Sequence, residues 1–245
     1  MWLKIKPEEP LILGNVRADS QFLGSTSYIP GRVLRGAWAE WLLAQGHEDI
    51  LSTVERLHMG NFFPTAEWRS IRYVLPLPLS ALTCKREGGF RGEPHPDHRG
   101  HGIVDTLLPH LTYQLLEEAG AHLSVPFTLT CSNCGERMEP LSGFYTVYRD
   151  GSTDRYVQTR LRYHAQTKVG LSRYRRAAAE QVLYTASALS PLTESPGVRG
   201  KPIDLVFIGR VQGAREDVEA LIDAVNHIAI GALHTRGYGR VKAKE

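Results

Sequence analysis

Ile203-Asp204-Leu205-Val206-Phe207-Ile208-Gly209-Arg210-Val211 is a dense β-branched and aromatic run, the pattern of a strand. From Arg215 to His227, Val218, Leu221, Ile222 and Val225 recur at helical spacing, with Glu216, Asp217, Glu219 and Asp223 turned to solvent. Arg240-Val241-Lys242-Ala243-Lys244 then alternates like a strand with a basic face. The N-terminal part repeats the order. Trp2-Leu3-Lys4-Ile5-Lys6 alternates as a strand, and Leu11-Ile12-Leu13 continues it. Pro30 stands at the start of a helix whose apolar face is Val33, Leu34, Ala37, Trp38, Trp41 and Leu42, with Gly46 as its stop. Strand, helix and strand at both ends predict an α+β fold, with helices on one face of an antiparallel sheet.

Between these ends, residues 81–145 are rich in Gly, Pro, His and Cys and poor in long periodic runs. The expected organisation is therefore one domain from 1–80 and 146–245, interrupted by an insertion over 81–145. The 245 residues, 42% apolar and 22% charged, exclude a mostly disordered chain. No stretch approaches 18 consecutive apolar residues, and Met1 to Lys6 has no apolar core of a secretory signal. Three cysteines are too few for a disulfide framework. A reducing cytoplasm is the expected compartment.

The net charge of +3 conceals an imbalance: of 29 basic residues, 22 are arginine. Arginine suits planar, bidentate recognition of phosphate and bases. A GC-rich genome produces the same excess, so position has to decide. Arg32 and Arg35 sit in the first turns of the predicted helix, where cations oppose the macrodipole unless an anion is bound; two solvated arginines are the alternative. Residues 148–176 hold Arg149, Arg155, Arg160, Arg162, Lys168, Arg173, Arg175 and Arg176 against only Asp150 and Asp154, interleaved with Tyr148, Tyr156, Tyr163 and Tyr174. Cations that track a backbone, combined with aromatics that stack bases, are what single-stranded nucleic acid requires. Gly231, Gly237 and Gly239 enclose His234, Arg236 and Tyr238, with Arg240 next, in a loop whose backbone can approach an anion; a plain hairpin turn gives the same pattern.

Cys131-Ser132-Asn133-Cys134-Gly135 is a knuckle of two thiols that can grip one metal ion from a tight turn. A structural zinc needs two further ligands. Cys84 lies upstream, and His95, His98, His101 and His110 lie between; spacing alone leaves the histidine open. A redox CxxC lacks the strand-to-helix context. Zinc here would fold an insertion too short and polar to support itself.

Tyr28-Ile29-Pro30-Gly31-x-x-Leu34-Arg35-Gly36 resembles the aromatic-Ile-Pro-Gly-Ser-x-Leu-Lys/Arg-Gly signature of the RAMP superfamily of CRISPR-associated proteins, with Arg32 in place of Ser. Residues 230–241 resemble its C-terminal glycine-rich loop. Thr167-Lys168-Val169-Gly170-Leu171-Ser172-Arg173 with Glu180-Gln181-Val182-Leu183-Tyr184, and Cys84-Lys85-Arg86 with His101-Gly102-Ile103-Val104-Asp105, are similar to motifs of the Csx-ten type, a subunit of type III-D CRISPR effectors. Lys168 stands where that type has His. The resemblance implies a ferredoxin-like (RRM-like) palm with a zinc-binding insertion, and a subunit that binds CRISPR RNA and target RNA beside other type III effector subunits. It makes His101 the fourth zinc ligand with Cys84, Cys131 and Cys134. It implies that the first-helix start and the glycine loop hold RNA backbone; together with the basic segment, the expected RNA contacts are Arg17, Tyr28, Arg32, Arg35, Arg160, Arg162, Lys168, Arg173, Arg175, Arg176, His234, Arg236, Tyr238 and Arg240.

The resemblance also bears on catalysis. Backbone subunits of the Cas-seven type in type III systems carry an Asp before the Ile-Pro-Gly helix, associated with metal-dependent cutting of target RNA. Asp19 stands nine residues before Tyr28 and would hold Mg2+. A turn residue within Arg17-Ala18-Asp19-Ser20 is the alternative, and non-catalytic guide binding is the expected role. A Cas-six type endonuclease using His47 or His58, and a zinc-stabilised scaffold that contacts only proteins, are the other readings.

Overall fold

The protein's computed structural model describes residues 1–15, 22–68, 70–93, 99–124, 126–172, 177–196, 198 and 200–245. The chain forms two compact units, one of residues 1–67, 160–194 and 202–245 and the other of residues 68–159 and 195–201.

The first unit opens with β1 (Trp2–Pro7), where alternation places Leu3 and Ile5 in the core and Lys4 and Lys6 on the other face. Short strands β2 (Gly14–Asn15) and β3 (Phe22–Ser25), helices α1 (Gly31–Ala44) and α2 (Ile50–Glu55), and strands β4 (His58–Met59) and β5 (Phe63–Ala66) follow. Leu11-Ile12-Leu13 is not the strand the sequence suggests. All three are fully buried, but only Leu11 makes a bridge, to Leu189. Pro30 is the residue before α1 rather than within its first turn, and Asn61 Oδ1 accepts from the Gly31 N–H in place of a capping side chain. At the far end Gly46 takes φ 75°, as a helix-ending glycine does.

The second unit holds β6 (Ser70–Pro76), β7 (Ala81–Cys84), β8 (Ile103–Asp105), helix α3 (Leu107–Glu118), β9 (Met138–Pro140), β10 (Phe144–Asp150) and β11 (Thr153–Thr159). They make two three-stranded antiparallel sheets, ordered β11-β10-β6 and β8-β7-β9. Helix α3 corrects the reading of 81–145 as lacking periodic structure: Leu107, Leu111 and Leu115 do recur at helical spacing. They face solvent, and no residue of the helix is buried.

The chain returns to the first unit with β12 (Tyr163–Ser172), β13 (Ala177–Leu189), β14 (Leu192–Glu194), β15 (Pro202–Gln212), α4 (Arg215–His227), a 3-10 turn at His234–Arg236 and β16 (Val241–Lys244). The central sheet runs β16-β1-β15-β5 and is antiparallel throughout, while β12 pairs along β13. The one parallel pairing among the described residues is β13 with β3. The architecture is therefore α+β with a predominantly antiparallel sheet. One apolar cluster joins Leu3, Ile5, Phe207 and Val211 to Leu34 and Trp38 of α1 and to Val218, Leu221 and Val225 of α4, so both helices cover the same face. Burial of a leucine there is worth about 2–5 kcal/mol against alanine. The opposite face carries the Lys4–Glu67 and Lys6–Asp204 ion pairs.

Candidate metal centre and nucleic-acid interface

Four side chains of the second unit converge although they are far apart in sequence. Cys84 ends β7 and pairs across it with Met138 of β9. The knuckle closes when the Gly135 N–H donates to the Cys131 carbonyl at 2.8 Å, and φ 72° at Gly135 is a conformation that favours glycine. His101 is drawn in by its backbone: its N–H donates to the Glu87 carbonyl, and the next N–H, of Gly102, donates to that of Gly89. The result places Cys84 Sγ 3.6 Å from Cys134 Sγ, and Cys131 Sγ 3.4 Å from His101 Nδ1. All four ligand atoms lie within 4.8 Å of one another.

These distances suit a metal ion. A tetrahedral zinc about 2.3 Å from sulfur and about 2.0–2.1 Å from nitrogen sets sulfurs roughly 3.8 Å apart and sulfur from nitrogen roughly 3.6 Å. A disulfide would need about 2.05 Å, and all three cysteines are free. Glu87 Oε2 lies 3.5 Å from His101 Nε2, which leaves Nδ1 facing the thiols and the metal position. Burial pushes the Cys131 thiol up, but N–H groups of Asn133 and Cys134 and the neighbouring thiols outweigh it and bring it down to about 6, suited to a thiolate ligand. At Cys134 the Glu136 N–H pulls down, whereas burial and the adjacent thiols prevail and raise it. This donor set can hold a metal ion. His110 sits elsewhere, on α3, stacked 5.1 Å from Phe127. His95 and His98 lie outside the described residues.

The first unit gathers basic and aromatic side chains around the 231–239 loop. The loop is fixed to the chain before it: the Ala232 N–H donates to the Ile12 carbonyl and the Gly239 N–H to that of Pro10. Lys168 Nζ of β12 lies 5.1 Å from the ring centroid of Tyr238, whose hydroxyl donates to Gln166 Oε1 at 2.6 Å. Arg236 lies over the Tyr184 ring and donates to its hydroxyl. Lys168, Tyr184, Arg236 and Tyr238 thus meet, with exposed His234 and Arg240 on the same loop. Arg162 is engaged by Glu194 at 2.7 Å, and Arg160 is exposed.

A second basic cluster surrounds α1. Gly31 is required there because a Cβ would lie 2.3 Å from the Met59 carbonyl oxygen, so the helix start presses on the β4 backbone. Arg35 then lines a cavity of about 410 Å3 with His58, Arg210 and Gln212; Arg32 is exposed on the same helix, and Tyr28 packs its ring 6.1 Å from that of Phe63. Arg210 and Gln212 were missed as site residues in the sequence. Their signal was the alternation of β15, which turns them away from the core beside buried Val211. Arg17, Asp19, Arg173, Arg175 and Arg176 lie outside the described residues.

The family model of the RAMP superfamily matches residues 4–242. The chain belongs to the RAMP superfamily. No curated protein matches it. Among solved structures it is similar to a chain of the type III-B Cmr-beta complex bound to cognate target RNA and AMPPnP, at 13% identity and TM-score 0.44, covering 100% of this chain and 63% of that one. It is likewise similar to a chain of Cmr-beta in the apo state, at 10% identity and TM-score 0.44 over 99% and 95%, and to Cmr6 from Pyrococcus furiosus, at 11% identity and TM-score 0.31 over 100% and 97%. The chain spans about 63% of the length of the first of these. No helix among the described residues is long and apolar enough to cross a membrane.

Proposed function

We propose that this RAMP protein is a CRISPR RNA-binding subunit of a type III, III-D-like effector ribonucleoprotein, holding the backbone of the guide for recognition of target RNA. The observation that carries the reading is the meeting of Lys168, Arg236, Tyr184 and Tyr238 at the 231–239 loop. Lys168 and Arg236 can meet phosphates there and the half-buried Tyr184 ring can meet a base, while Tyr238, 4% exposed, fixes the loop beneath them. The strand order β16-β1-β15-β5 under α1 and α4 supports a ferredoxin-like palm. The Cys3His donor set supports zinc as the ion of the second unit, with a structural role, since all four positions are filled by protein and none is left for a substrate.

The test is the salt dependence of RNA affinity for the purified chain, with sequencing of RNA carried through purification. Neutralised phosphates give a straight fall of log affinity with log salt, and repeat-derived RNA is expected among the bound species. A flat salt dependence with no bound RNA defeats the reading in favour of a protein-only scaffold.

A further inference from the structure

A cavity of about 370 Å3 in the second unit opens beside the metal cluster, lined by Phe90, Arg91, Val104, Ser132, Met138 and Tyr156 among others. The metal ligands His101 and Cys131 form its floor, but neither they nor the basic clusters of the first unit explain its aromatic wall. The rings of Phe90 and Tyr156 are 5.7 Å apart in its lining, and Tyr145, outside the lining, stands 5.5 Å from Phe90. Tyr156 is 41% exposed and Val104 47% exposed, which leaves the apolar wall open to a ligand.

The walls are held before any ligand arrives. Glu93 accepts from the Phe90 N–H through Oε2 and from the Gln158 N–H through Oε1, both at 3.1 Å, which ties the Phe90 loop to β11. Arg91 Nε donates to the His101 carbonyl and Nη2 to Asn133 Oδ1, so metal ligation at His101 and the pose of Arg91 are linked through one residue. Nη1 of Arg91 has no partner among the described residues. A divalent ion on three thiolates leaves one negative charge and Glu87 adds a second, so Arg91 is the cation that a ligand entering this pocket meets. The pocket is aromatic on one side and lined by Ser132 and Thr130 on the other. Its size suits one planar heterocycle.

We infer that this cavity receives a single unpaired nucleobase of a bound RNA strand, stacked against Tyr156 and Phe90 with its edge toward Arg91 and Ser132. The inference rests on the RNA-binding reading above and adds a base site in the second unit. Stacking of this kind tolerates any base, because every base has a π-face. Tyr156 belongs to the basic, tyrosine-bearing segment that the sequence singles out, whereas Phe90 and Arg91 come from the cysteine- and histidine-rich region.

The experiment is photocrosslinking of the zinc-loaded full chain to single-stranded RNA containing 4-thiouridine, read by mass spectrometry, together with affinity measurements on variants. The expected result is an adduct on Phe90 or Tyr156, about tenfold weaker binding for Tyr156→Leu, and near-normal binding for Tyr156→Phe. Val104→Trp, which fills the cavity from a position that is not itself a metal ligand, should remove the adduct while zinc content stays constant. Adducts confined to the first unit, with Val104→Trp binding RNA as the parent does, overturn the base site and leave guide binding standing. No RNA binding under any salt condition overturns both.

Discussion

The two units are held by different physics. In the first, strands and helices share one apolar cluster running from Leu3 to Ala243 through Trp38, Phe207 and Leu221. In the second, α3 buries nothing, and the β8-β7-β9 sheet carries a cysteine at the end of its middle strand whose partners are a histidine and two more cysteines. One unit is stabilised by area removed from water, which scales with the regular spacing of apolar residues. The second unit divides in two: its β11-β10-β6 sheet buries Val74, Val147, Tyr148 and Val157, whereas the part around β8-β7-β9 concentrates its stabilisation at one point, which needs the right four atoms and almost no periodicity. Within that part, the absence of periodic sequence marks where a metal does the holding.

The largest effect expected is on the metal. Chelation, or Cys131→Ser, removes an apparent binding free energy of roughly 10 kcal/mol. Limited proteolysis should then cut first between Cys84 and Gly135 while the unfolding midpoint of the first unit is kept. A simultaneous loss of both units would break the comparison. Next, Leu221→Ala should cost about 3 kcal/mol in denaturant unfolding, whereas Leu111→Ala on α3 should change stability by no more than about 0.5 kcal/mol. Equal costs at the two leucines would contradict their difference in burial. Smaller still, Lys168→Ala and Arg236→Ala should each weaken RNA binding across all sequences and lower the salt slope by about one; an unchanged slope removes that residue from the phosphate contacts.

The smallest effect concerns the outer face of the central sheet. A hydrogen bond from Lys4 holds the Glu67 carboxyl below its ordinary 4.5, despite partial burial. Because the folded value is the lower one, the contribution is complete above pH 4.5 and is lost as pH falls through the folded value. At a partly exposed pair it amounts to less than about 1 kcal/mol. Glu67→Gln should flatten the acid limb of the stability profile by that amount, and an unaltered limb would show the pair to be inert.

Legibility in the sequence followed the same division. β1, α1, α4 and β16 were readable because one face of each is apolar at its own period, and β15 because its apolar residues form a dense run buried on both faces at Leu205, Val206 and Phe207; α4 begins and ends at the predicted Arg215 and His227. Helix α3 was not read, since Pro109 and His110 interrupt its leucines and these meet no core. The long β12 and β13 pair was hidden beneath a segment read for its charge. The knuckle at Cys131 and Cys134 stood out through its spacing. His101 did not, because what brings it to the cluster is the pair of backbone hydrogen bonds to Glu87 and Gly89, on which histidine spacing has no bearing. The contact between Lys168 and Tyr238 joins residues 70 apart and leaves no local trace.

The register of β1 sets a schedule for biosynthesis. Its two neighbours in the sheet are β15 and β16, so residues 2–7 are made about 200 residues before either strand that pairs with them. At about 5–20 residues per second of synthesis, Leu3 and Ile5 wait on the order of 10–40 s with both strand edges open. During that interval both edges of this strand are a template for pairing with another chain.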